Sequence, residues 1–151
     1  MLSVVGLSVS LAGFSGLVSA FRRGSPLRAP DAYRLRQIPE MALPTGFIAL
    51  VSLALADSTG NSSLAIRIAG GAGLLFTIVN ALVLIERLSS MHVRLRMADS
   101  LLATVLNLAA IGAGIAAVAV PTAAAFEWLL VLLIARPGAA FLLALADVGD
   151  D

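Results

Sequence analysis

Apolar residues fall in five blocks along the chain, separated by short segments that collect nearly all the charge, proline and Ser/Asn-rich sequence. At about 1.5 Å per helical residue, each block approaches the ~30 Å thickness of a bilayer hydrocarbon core and so predicts a transmembrane helix. The first, 2–21, contains no charged residue. The second, 39–56, places Pro39 at a first helical position, where a missing N–H does little harm, and Pro44 one turn later predicts a bend near the inner surface. The third, 64–85, follows the polar turn 57–63 and ends at Glu86-Arg87. The fourth, 100–120, has Asp99 in the place of an N-cap. Pro121-Thr122 then turns the chain into the fifth, 123–146, which Arg136-Pro137-Gly138 interrupts. Residues 123–135 alone would reach only about 20 Å. One helix kinked near 136–138 is therefore expected, and a half-helix that breaks at Arg136 and re-enters is the alternative.

The pattern predicts an all-α, integral membrane helical bundle of about five transmembrane helices, forming a single domain over 1–151. Val18-Ser19-Ala20 resembles a signal-peptide cleavage site, but no positive charge precedes the first block and Arg22-Arg23 follow it directly. Retention as a helix is the better reading.

Composition agrees. Sixty per cent of the residues are hydrophobic, 13% are charged and the mean hydropathy is +1.00, against about 25% charged in soluble domains. All ten basic residues are Arg, which together with the Ala, Leu, Val and Gly content points to a GC-rich bacterial genome. With no Cys and a single histidine, His92, neither thiolate chemistry nor a His-based metal site is expected. No cofactor motif is present: Gly70-Gly71-Ala-Gly73 and Gly112-Ala-Gly114 follow no strand, and there is no Walker sequence, zinc-protease motif or nucleophile elbow. No catalytic residue is nominated.

The charge is placed asymmetrically. Arg22, Arg23, Arg28, Arg34 and Arg36 precede the second block, and Arg87, Arg94 and Arg96 separate the third from the fourth; only Arg67 lies toward the other side. The positive-inside rule puts both Arg-rich segments in the cytoplasm, the N-terminus outside, and the tail with Asp147, Asp150 and Asp151 inside. Arg22, Arg23, Arg34, Arg36, Arg87, Arg94 and Arg96 then act first as topology anchors and lipid-headgroup contacts, with a docking surface for a cytosolic partner as the alternative. Nucleic acid is not an expected partner. Leu88, Met91 and Leu95 at helical spacing extend the third helix past the bilayer as an amphipathic stem, on which His92 is a solvated or headgroup-facing side chain.

Polar groups inside the spans are candidate sites, because each is costly there unless paired or hydrated. Glu127 lies about 9 Å in from Pro121, close to the depth of Arg67 in the third helix, so an Arg67–Glu127 ion pair is expected. The functional alternative makes Glu127 a proton- or cation-binding carboxylate beside the interfacial Trp128. Arg136 lies in the inner leaflet, where it can snorkel to headgroups, meet Glu40 or Glu86, or bind an anion. Asn80 and Asn107, each with a Thr three residues earlier (Thr77, Thr104), fall at comparable depth and are expected to hydrogen-bond across a helix interface or to mark a polar path. Small residues recur every fourth position at Ser8, Ala12, Gly16 and Ala20, and again at Ala65, Ala69, Gly73, Thr77 and Ala81, a spacing that lets helix backbones approach.

Arg34-Leu-Arg36, Glu40, Leu43-Pro44, Arg67 opening a helix, Asn107 and Phe141-Leu-Leu together resemble a family of small, uncharacterised bacterial multi-pass integral membrane proteins. The resemblance implies bacterial origin and an inner-membrane location and brings no activity with it.

The function expected on these grounds is non-enzymatic: a small inner-membrane packing, accessory or regulatory subunit, in a homo-oligomer or a larger membrane complex. The alternative is a small oligomeric transporter or channel lined by Glu127, Arg136, Asn80 or Asn107. A membrane enzyme ranks third, because paired carboxylates and an activated nucleophile are missing.

Overall fold

The computed structural model describes the backbone of residues 2–21, 29–91 and 97–146, with side chains over the greater part of that range. The described elements are five α-helices: α1 Leu2–Phe21, α2 Ala29–Thr59, α3 Ser62–Met91, α4 Met97–Ala119 and α5 Ala123–Ala146. Among the described residues, four stretches are long and apolar enough to cross a membrane: Gln37–Thr59, Ser62–Val83, Leu101–Ala119 and Ala123–Leu142. The expected span in α1 falls partly on side chains outside the described residues; its helix covers 20 residues.

The helices are longer than the apolar blocks. α2 starts ten residues before Pro39, so Pro39 and Pro44 both lie inside it, and Pro30 takes the early position at which a proline's missing N–H is not needed. α3 continues to Met91; Leu95 and the side chains of Leu88 and Met91, expected to form a stem, lie outside the described residues. α4 begins at Met97, which places Asp99 on the third helical residue instead of at the N-cap. Hydropathy marks where a helix leaves hydrocarbon, whereas the backbone remains helical for as long as its i→i−4 bonds persist. α5 is continuous from Ala123 through Pro137 to Ala146, as one helix and not as a broken, re-entrant segment.

Two short turns bring consecutive helices back antiparallel. α2 ends where Gly60 adopts a left-handed φ of 62°, a conformation that costs glycine little. Asn61 then caps α3, its Oδ1 accepting from the Leu64 N–H at 3.0 Å. Between α4 and α5, Thr122 caps α5 by accepting the Ala125 N–H on Oγ1 at 3.2 Å.

α2, α3, α4 and α5 pack each against its two neighbours in a ring, with α3 and α5 meeting across the diagonal, and α1 lies outside against α2 and the edge of α5. The centre is built from Ile48 and Ala49 of α2, Ile66 and Ala69 of α3, Ala110 and Ala117 of α4, and Phe126, Leu129, Leu130 and Leu133 of α5. A smaller cluster around Ile38, with Leu11, Ala140 and Phe141, ties α1 to the end of α2 and α5 opposite the two short turns.

Apolar side chains gain little by leaving lipid for protein, so these contacts rest on close van der Waals fit. Small residues provide it. Ala65, Ala69, Gly73 and Thr77 form the buried face of α3, and a Cβ on Gly73 would sit 2.9 Å from Leu129 Cδ2. On α4, a Cβ on Gly114 would lie 3.0 Å from Leu74 Cβ, and on α2 one on Gly46 would lie 2.9 Å from Ser8 Cβ. The α3 stripe is therefore occupied within the chain. In the α1 stripe Ser8 is buried and Gly16 is exposed.

Candidate functional site: a polar cavity at the bundle centre

Below the central apolar layer, the four ring helices enclose a cavity of about 20 Å³ lined by both polar and apolar groups. α2 contributes Met41; α3 contributes Phe76, Thr77 and Asn80; α4 contributes Leu106, Asn107 and Ala110; and α5 contributes Leu132, Leu133 and Arg136. A cavity of that size accommodates one water molecule, since about 10–15 Å³ on this measure suffices for one.

Arg136 reaches from α5 to α4 and donates from Nη1 to Asn107 Oδ1 at 2.8 Å. The residues meet because both lie at one height. Arg136 is 13 residues below Ala123, and Asn107 is 12 residues from Ala119 on the adjacent antiparallel helix. Each is therefore about 18–20 Å from the end of the bundle that carries the two short turns. A guanidinium offers only donors, so it fixes the amide oxygen of Asn107 toward itself and turns the NH₂ away. The other polar linings bond within their own helix: Thr77 Oγ1 donates to Gly73 O at 2.8 Å, and Asn80 Nδ2 donates to Phe76 O at 2.9 Å. Asn80 and Asn107 thus share a cavity while each makes its hydrogen bond elsewhere. Among the described residues, no buried side-chain nitrogen or oxygen lacks a partner.

Pro137, fully buried beside Arg136, has no N–H to give the carbonyl of Leu133, another lining residue. The helix loses one backbone bond next to the cavity. Gly138 follows, and beyond its own helical turn nothing lies within 4 Å of where its Cβ would be.

The remaining sequence candidates fall elsewhere. Arg67 and Glu127 are exposed, on α3 and α5, and the structure draws no bond between them. Their heights match, but α3 and α5 stand diagonally in the ring and the two side chains lie on outward faces. Trp128, beside Glu127, is 65% exposed. Thr104 is exposed and does not line the cavity. Glu40 and Glu86 are exposed near the other end. Arg22, Arg23, Arg94, Arg96, His92 and the acidic tail lie outside the described residues, as do the side chains of Arg34, Arg36 and Arg87.

The sequence reading did not anticipate the Arg136–Asn107 bond, although the signal was present in two counts of residues from the α4–α5 turn. Chemically the cavity can position a water or order its own helices. Its lining contains no carboxylate, thiol or imidazole with which to move a proton, and no group of His, Cys, Asp or Glu suited to a metal occurs among the described residues. Comparison with protein-family models, with curated proteins and with solved structures gave no match.

Proposed function

We propose that this chain is a non-enzymatic accessory or regulatory subunit of a bacterial cytoplasmic membrane, acting through its outer faces in a homo-oligomer or a larger membrane complex. The observation that carries this reading is the small size of the polar cavity among the described residues, about 20 Å³. That volume suits one water. The outer surface, in contrast, is broad and apolar, and on α4 it includes Leu101, Val105, Leu108 and Ile115.

The Arg distribution supports an orientation with the N-terminus and both short turns outside and the C-terminal tail in the cytoplasm. The resemblance to small bacterial multi-pass proteins supports the same membrane. The alternative, an oligomeric transporter or channel lined by Glu127, Arg136, Asn80 or Asn107, finds less support, because Arg136, Asn80 and Asn107 line a small cavity within one chain, apart from the exposed Glu127. The test is flux into vesicles containing the purified chain. Permeability to protons, potassium and chloride should equal that of empty vesicles, and a flux abolished by Glu127→Gln would overturn the reading.

A further inference from the structure

We infer that copies of this chain associate side by side in the membrane, with Arg67 of one copy against Glu127 of the next. The inference rests on the reading above, that the protein works through its outer faces, and names the partner as a second copy. Arg67 and Glu127 are the charged residues near the turn-bearing end of two candidate spans, Ser62–Val83 and Ala123–Leu142. Arg67 is five residues from the start of α3, and Glu127 is four residues from the start of α5. Both helices start at the same end of the bundle, so the charges stand about 6–8 Å inward at equal height.

Within one chain they do not meet. α3 and α5 are diagonal in the ring, so their exposed faces look to opposite sides of the bundle. Each charge is thus presented outward, flanked by exposed apolar residues: Leu64 and Ile68 beside Arg67, Trp128 and Val131 beside Glu127. A translation of one copy in the membrane plane brings the positive face of one to the negative face of the next at matching depth. A charge facing lipid is unfavourable even near the interface, and pairing removes both such exposures together. Because the two patches are different surfaces on opposite sides, the contact is head-to-tail and extends into rows or rings beyond two copies.

Asp57, exposed near the end of α2, is the competing carboxylate for Arg67. Asp57→Asn is the control and should leave association unchanged.

The chain has no Cys, so one introduced cysteine accepts donor or acceptor dye. Energy transfer between differently labelled copies is then read in phosphatidylethanolamine–phosphatidylglycerol vesicles across a lipid-dilution series. Wild type should associate. Arg67→Glu and Glu127→Arg should each lower the association constant about tenfold or more, because each sets like charges together. Arg67→Gln and Glu127→Gln should lower it less, and their helical content should stay that of wild type. An equimolar mixture of Arg67→Glu with Glu127→Arg copies should recover wild-type transfer, which an ion pair within one chain would not produce. Charge reversals that associate like wild type, folded variants that fail to recover on mixing, or a wild type that shows no transfer would overturn the inference. None of these results bears on binding to a different protein, which the mass spectrum of the native assembly reads separately.

Discussion

Arg136 of α5 and Asn107 of α4 are joined by a 2.8 Å charge-assisted hydrogen bond inside the ring of four helices, next to a proline that leaves Leu133 without its usual backbone donor. Losing this acceptor is costly, because a charged donor inside a helix bundle then gives up a directed, charge-assisted bond. Asn107→Leu should destabilise the bundle by about 1–3 kcal/mol. Adding Arg136→Met should recover part of that loss, since the guanidinium that lost its Asn107 acceptor is removed with it. Unfolding of purified protein in mixed micelles would check this, and additive losses would mean that the bond contributes no coupling.

Asn80 lines the same cavity, yet its amide donates to Phe76 O of its own helix. Asn80→Leu fills space without stranding a charge. It should cost less than Asn107→Leu by about 1 kcal/mol in the same unfolding assay.

The close glycines differ in what surrounds them. A Cβ at Gly73 meets the tip of Leu129, which can rotate, whereas a Cβ at Gly46 meets Ser8 Cβ, which is fixed to the α1 backbone. Gly46→Ala should therefore loosen α1 from α2 at a cost of about 1–3 kcal/mol, and Gly73→Ala should cost less. Protease sensitivity of α1 in each variant would report it.

Arg67 and Glu127 do not meet within one chain. At high lipid dilution, where copies are separate, Arg67→Gln and Glu127→Gln should have additive effects on stability, within about 0.5 kcal/mol. A coupling larger than that would restore the intrachain ion pair.

The five helices were legible in the sequence because each carries an apolar block about as long as a bilayer is thick, and the α3 face was legible because Ala65, Ala69, Gly73 and Thr77 share one side of a helix. The helix ends were not. Residues 29–38 and 86–91 carry the charge of an interfacial segment, and charge alone does not separate helix from loop there. The equal heights of Arg67 and Glu127 were read correctly, but height says nothing about direction around a helix axis, and the diagonal positions of α3 and α5 keep them apart. For Arg136 and Asn107 the same count of heights would have succeeded, because α4 and α5 are ring neighbours.

The most direct measurement of the central claim, that the chain acts through its outer faces, is native mass spectrometry of the protein released gently from its own membrane. The account predicts a stoichiometric assembly, either several copies of the chain or the chain bound within a larger complex. A single chain, without protein partners and retaining a small polar ligand, would contradict it.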